Sequence, residues 1–254
     1  MYGDLRSKLQ LYKKGTEEKS QRMLKTGSDI QDLMEGYICS NDNGSCFIIE
    51  NRYPISYLHG GYCLGDALDI NPATLDRVCS DFREGTNIKD FIFMDTETTG
   101  LSGGAGTVAF LVGTGFFEDE AFVLRQYFMR DYDEEPAMLT EINTLLSGCT
   151  GLITFNGKAF DWNLLQTRFI FNRIKPELAD PCHIDLLFPS RRIWRLKLES
   201  CRLQSIEENI LNEVRVDDIP GAEIPSIYFK YLESRNACII KKVIRRNELD
   251  ILSM

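Results

Sequence analysis

The sequence predicts an α/β protein built on a mixed sheet, and three observations carry that prediction. From residue 90 onward, apolar runs of strand length alternate with turn signals and then with helix-length stretches. The first three runs, 91–97, 107–117 and 121–129, follow one another too closely for crossover helices, so they form an antiparallel meander. Helix, strand, helix and strand then alternate over 134–147, 151–156, 161–172 and 182–187, a pattern that lays parallel strands beneath helices. The expected architecture is a five-stranded mixed sheet with helices on both faces, over residues 86–254, preceded by an extension over 1–85.

Each element has its own signal. Residues 4–14 follow Asp4, an N-cap type, and read as a short helix. Residues 15–45 are polar and poorly periodic and are expected as loop. CFIIENRYPISYL (46–58) is strand material interrupted by Pro54, which cannot donate to a ladder. Asn71-Pro72 marks a turn, and 73–83 is weakly helical. Gly100, Gly103, Gly104 and Gly106 make a loop between the first and second strands of the meander. Beyond residue 187 the chain reads as largely helical.

Composition narrows the class. Over 254 residues, 43% apolar and 26% charged content is ordinary for a globular chain, and no uncharged apolar stretch is long enough to span a bilayer. The start, MYGDLRSKLQLYKKG, has no apolar leader segment. Eight cysteines are scattered without a C-x-x-C pair, which argues against structural zinc and a disulfide framework and for reduced thiols in the cytoplasm. Cys182-His183 are neighbours, but two adjacent residues do not make a metal site. The net charge of −9 argues against a nucleic-acid partner until its distribution is considered. Residues 6–25, 191–202 and 241–246 are locally basic. The second stretch sets Arg191, Arg192, Arg195, Lys197 and Arg202 around Trp194, a combination suited to phosphate and base contacts.

The chemistry-bearing motif is FIFMDTETTG, residues 91–100. An apolar run ends in Asp95-x-Glu97, and residues i and i+2 of a strand share a face. Two carboxylates so placed repel unless a cation lies between them, and hard ions such as Mg²⁺ or Mn²⁺ prefer oxygen ligands. In α/β sheets, sites form at the carboxyl ends of parallel strands. If strands 91–97 and 151–156 are parallel neighbours, Asp161 at the start of its helix comes within reach of Asp95. Asp161 also reads as a simple helix cap favoured by the dipole.

Asp95-x-Glu97, then Asn156-x-x-x-Phe160-Asp161, then a late Asp on a C-terminal helix resemble the DEDD exonucleases of the ribonuclease H-like superfamily. DTETTGLSGGAGTVAFLVG, FNGKAFDWNLLQTRF, HIDLLFPSRRIWR and DDIPGAEIPSIYFKYL together resemble the bacterial YprB-like exonuclease group, over about residues 46–254. The resemblance implies a ribonuclease H-like fold, two Mg²⁺ or Mn²⁺ ions, and hydrolysis of phosphodiester bonds from a strand end, 3′→5′ in many such enzymes. It places the fourth carboxylate on the last helix, where Asp250 matches. Asp185, Asp217 and Asp218 are rivals, and Asp185 is also read as a structural acid. Asp95 would bridge both ions, Glu97 and Asp250 would complete the ion on the side of the attacking water, and Asp161 would hold the ion at the leaving 3′-oxygen. Two such ions, roughly 3.5–4 Å apart, clamp both oxygens of an in-line displacement.

Substrate contacts are expected from Thr98, Leu101 as a wedge against the end base, Asn156, Lys158, Arg168, Arg191, Arg192 and Arg246. The implied partner is a single-stranded or frayed DNA end, or RNA. A DNA-repair setting is also implied, with a helicase supplying unwound strands and no membrane involved. One departure stands out. Many DEDD enzymes carry a Tyr four or a His five residues before the last Asp; here these positions hold Arg246 and Arg245. Arginine stays protonated and cannot act as a general base, but it can bind phosphate. General-base help contributes about 10²–10⁴-fold. Three readings follow: the metals suffice, another group serves, or turnover is reduced. The rival function is a nucleic-acid-binding module with the same fold and little or no turnover; an endonuclease or hybrid-specific ribonuclease is a third. The chain stops four residues past Asp250, so either a fragment of a longer protein or a short variant is expected, and a frayed last turn would leave Asp250 mobile and the metal site loose.

Overall fold

The structure, a computed structural model, describes residues 28–71, 73, 74, 77, 87–100 and 106–254. The expected helix over 4–14, the basic stretch 6–25, most of the expected helix 73–83, and Leu101 with Gly103 and Gly104 lie outside the described residues.

A four-residue helix α1 (Ile30–Leu33), capped by the Asp29 carboxylate, leads into strands β1 (Tyr37–Asn41) and β2 (Gly44–Pro54). The short hairpin strands β3 (Leu58–His59) and β4 (Tyr62–Cys63) come next. The meander follows as β5 (Phe91–Thr98), β6 (Ala109–Glu118) and β7 (Ala121–Phe128). Then come α2 (Glu135–Leu146), β8 (Gly151–Thr154), α3 (Asp161–Phe171) and β9 (Cys182–Asp185). The described chain closes with α4 (Leu187–Trp194), α5 (Leu203–Ile206), α6 (Ile224–Ser234) and α7 (Lys241–Leu252).

The main sheet runs β1-β2-β7-β6-β5-β8-β9. β5, β6 and β7 are antiparallel neighbours, and β8 and β9 join β5 in parallel. The meander and the parallel β5–β8 pair are as expected, but the sheet has seven strands rather than five. β2 pairs with β7 from Phe47↔Phe128 to Pro54↔Ala121, and β1 extends the edge antiparallel to β2. Pro54 therefore ends its strand rather than interrupting it. The sequence YICSN of β1 offers no clean alternation because both faces of an edge strand meet partial solvent. It was therefore unreadable as anything but loop.

β5 is buried on both faces. Ile92 and Met94 join the core cluster built with α2 and α3, whereas Phe91 and Phe93 join the one that includes Ile251 and Leu252 of α7. Burying such side chains contributes about 1.5–3 kcal/mol each, which holds the strand carrying the acids rigid. Helix α7 lies across β5 and β6, and two glycines of β6 make that approach possible. A Cβ on Gly113 would fall 2.3 Å from Asn247 Oδ1, and one on Gly115 would fall 2.8 Å from Ile251 Cγ2. The last turn of α7 is packed, not loose: Ile251 and Leu252 are buried and the Ser253 hydroxyl donates to Glu207 Oε1.

Candidate metal centre

Asp95 and Glu97 project from the carboxyl end of β5, where the ladder with β6 shifts register between Glu97 and Thr98. Asp250 arrives from α7. One carboxylate oxygen from each of the three lies within 4.8 Å of the others. An all-oxygen, all-anionic donor set of this size fits a hard divalent cation. Asp161 opens α3 beside this trio. Its Oδ1 accepts the Thr96 hydroxyl, and its charge reaches both Asp95 and Glu97.

The rival acids are committed elsewhere. The Asp185 carboxylate accepts the backbone N–H groups of Asn156 (2.7 Å), Lys158 (3.1 Å) and Leu187 (3.1 Å). It thereby shapes the turn after β8, where Asn156 has φ +67°. Asp217 pairs with Lys242 at 2.5 Å, and Asp218 with Arg246 at 2.7 Å.

The carboxyl groups of the cluster are buried close together and hold their protons more tightly than ordinary carboxyls. Burial, then the charges of Asp250, Asp161 and Glu97, hold the Asp95 carboxyl well above its ordinary range. Burial and the Asp250 charge push Glu97 up to about 8, although Arg246 pulls the other way. Burial also raises Asp161, to about 6. Asp250 is raised by burial against the opposing pull of Arg215 and Arg246.

Three side chains that the sequence did not single out, Asn247, Gln126 and Arg215, complete the site, with Arg202 from the basic 191–202 stretch. Asn247 Nδ2 donates to Asp95 Oδ2 at 2.8 Å, and Gln126 Nε2 donates to Asn247 Oδ1 at 2.8 Å, all beneath the acids. Asn247 lies three residues before Asp250, so the two share a helix face; that spacing was the available signal. Arg215, whose side chain is buried, donates to Asp250 Oδ1 at 2.5 Å. Arg202 lines the cleft above.

That cleft, of about 540 Å³, is bordered by Asp95, Asn156, Arg191, Arg202, Arg246 and Asp250. The Arg246 guanidinium sits over the acids, with Nε 3.7 Å from Glu97 Oε1 and 3.9 Å from Asp250 Oδ2. Arg245 turns away to Glu248 at 2.7 Å. The other expected contacts divide. Thr98 Oγ1 donates to the Gly100 carbonyl at 2.8 Å, within the turn that leaves β5. Lys158 lines a neighbouring hollow with Trp162, Asn163, Asp180 and His183. Arg192 donates to the Arg77 carbonyl. Arg168 is corrected outright: it is buried, bonds both Glu135 oxygens at 2.6 and 2.5 Å, and stacks on Phe171, so it joins α3 to α2 instead of meeting a substrate. Sequence reasoning missed this because Glu135 lies 33 residues away.

A sheet with this strand order, carrying acids at the end of the interior strand β5 and on its final helix, defines an α/β protein of ribonuclease H type. The chain belongs to the RNase_H superfamily, whose family model matches residues 92–254. It is 34% identical over 218 residues to "Uncharacterized protein YprB" of Bacillus subtilis (strain 168), covering 82% of this chain and 51% of that protein. The chain thus spans about half the length of this relative. Among solved structures it superposes on the family B DNA polymerase of the hyperthermophilic archaeon Pyrobaculum calidifontis with a TM-score of 0.50 at 12% identity. That match covers 67% of this chain and 24% of the polymerase, and it speaks to the fold alone. Among the described residues no helix is long and apolar enough to cross a membrane.

Proposed function

We propose that this chain is a metal-dependent exonuclease that hydrolyses phosphodiester bonds of a nucleic-acid strand from its 3′ end, using two Mg²⁺ or Mn²⁺ ions. The observation that carries the reading is the convergence of Asp95, Glu97 and Asp250 within 4.8 Å, with Asp95 and Asp250 lining an arginine-bordered cleft. Asp95, Glu97, Asp161 and Asp250 would hold the divalent ions, which would supply charge stabilisation for an in-line displacement and a more acidic water. The chain's own contributions are positional. Asp95, held by Asn247, and Asp250, held by Arg215, present fixed oxygens. Asp161 supplies the further carboxylate that a second ion requires. Arg246 keeps its proton and so serves as a phosphate-binding cation over the reacting group, with Arg191 and Arg202 continuing the positive lining outward. Asn156, at the cleft wall, offers an amide to the terminal nucleotide. The substrate is a single-stranded or frayed DNA end, with RNA as the competing polymer. A repair role with a helicase supplying the strand follows from the resemblance alone.

A second reading, a binding module with little turnover, is favoured by one observation: a guanidinium, not an imidazole or phenol, precedes Asp250. Purified chain with Mn²⁺ is incubated with end-labelled DNA and RNA strands blocked at the 5′ or the 3′ terminus, and with closed circles. Loss of cleavage only on 3′-blocked strands is expected. Cut circles make it an endonuclease, and binding without cleavage favours the second reading.

A further inference from the structure

Arg215 and Glu207 form a fully buried ion pair directly behind the acid cluster, and neither reaches the cleft. The Arg215 side chain is 1% exposed and that of Glu207 0%. Arg215 Nε donates to Glu207 Oε2 at 2.6 Å, and Nη2 is shared between Glu207 Oε1 and Asp250 Oδ1, at 2.5 Å each. Nη1 is left without a hydrogen-bond partner, 3.7 Å from Asp218 Oδ2. The guanidinium is therefore aimed to serve Glu207 and Asp250 at the expense of its own third nitrogen. Burying an ion pair in this way gains little stability, since desolvation offsets the attraction. Its consequence is geometric: Asp250 Oδ1 is held by Arg215, while Oδ2 lies 3.9 Å from Arg246 Nε.

The pair is held through Ser253, inside the RNase_H-matched segment, which is met in turn by His59 from outside it. The Ser253 hydroxyl donates to Glu207 Oε1 at 2.5 Å, and His59 Nε2 meets Ser253 Oγ at 2.7 Å. His59 belongs to the β3–β4 hairpin, which lies flat on the segment leading to Arg215. Gly61 N–H donates to the Leu211 carbonyl at 2.7 Å, and Gly60 N–H to Glu213 at 3.0 Å. Gly60 has φ +60°, and a Cβ there would fall 2.1 Å from the Leu211 oxygen, so only glycine permits this seating.

We infer that Arg215 is a positioning residue of the metal centre, orienting Asp250 through one bridging guanidinium, and that the Leu58–Cys63 hairpin braces it through His59, Ser253 and Glu207. The inference rests on the metal-dependent reading above. A lysine keeps the charge but lacks the planar fork that bridges two carboxylates, so charge and geometry separate in one substitution.

The test uses the full chain and Mn²⁺ alone as probe, read by titration of bound ion, with strand cleavage as a second readout. Arg215→Lys is expected to weaken Mn²⁺ binding about tenfold, the lower end for partners that orient metal ligands. It should lower kcat and leave the KM for nucleic acid unchanged, because Arg215 is sealed from the cleft. Ser253→Ala, which alters no charge, is expected to weaken Mn²⁺ binding about fivefold, the worth of one hydrogen bond. A merely structural role lowers the melting temperature in chelator but leaves Mn²⁺ affinity and kcat of the folded protein intact. Wild-type Mn²⁺ affinity in whichever variant folds overturns the assignment. If the unsubstituted chain takes up no Mn²⁺, the metal-dependent reading falls and takes this inference with it. Normal uptake with indifferent variants sinks the inference alone.

Discussion

The side-chain amide of Asn247 donates to the Asp95 carboxylate across 2.8 Å, which fastens the last helix to the end of strand β5. The contact exists because Gly113, directly beneath, has no Cβ to hold α7 away. Gly113→Ala should therefore lift the helix, destabilise the fold by about 1–3 kcal/mol, as small-to-large changes in packed cores do, and weaken Mn²⁺ binding. Thermal unfolding and Mn²⁺ titration of the same preparation check both parts. An alanine variant that melts and binds like the parent removes the glycine from this role.

Asp95→Asn separates function from stability. Asp95 is buried among like charges, so an amide there relieves repulsion while still accepting from Asn247. Cleavage should fall by at least about 10²-fold, since a ligand is lost and not merely its support. The melting temperature in chelator should rise. A fall in melting temperature contradicts the electrostatic account of the cluster.

The raised carboxyl groups set a pH dependence. Glu97 is pushed up to about 8 and Asp161 to about 6, while unfolded carboxyls titrate near about 4. Between these limits the folded chain holds protons that the unfolded chain has released, so metal-free stability falls as pH rises from about 4 to about 8. A bound divalent ion replaces those protons, so the stabilisation it confers should grow over the same interval. Melting temperatures in chelator and in Mn²⁺, measured from about pH 5.5 to 8.5, should diverge with rising pH; parallel curves would refute this.

Arg246→Ala tests the guanidinium that stands four residues before Asp250 and lies over the acids. As a phosphate-binding cation its loss should raise the KM for a single strand about tenfold, the value of a charge-assisted hydrogen bond, and flatten the salt dependence by about one charge. kcat should change far less. The opposite partition, an unchanged KM with a large loss in kcat, assigns Arg246 to the chemical step.

Much of this arrangement is legible along the chain. The apolar run ending in Asp95-x-Glu97 announces a buried strand with two acids on one face, because strand periodicity is local. The same local logic places β5 to β7 as a meander and Asp161 at a helix start. Asp250 was recognisable through resemblance, but nothing local separates it from Asp185, Asp217 or Asp218. Only folding did: Asp185 is saturated by three backbone donors, and the other two meet cations on α7. Arg168 looked like a phosphate ligand until Glu135 was brought against it.

The sequence by itself determined the strand that carries the acids, the alternation that makes the sheet mixed, and the oxygen-only chemistry of the centre. These rest on neighbours within a few residues. Tertiary structure decided which acids converge, which arginines face the cleft, and that β1 and β2 widen the sheet. It also joined Asp95 to Asn247, 152 residues apart, and Asp250 to Arg215 behind it. Contacts of that span are chosen by packing and by the cost of burying unpaired charge, and neither leaves a periodic trace in the chain.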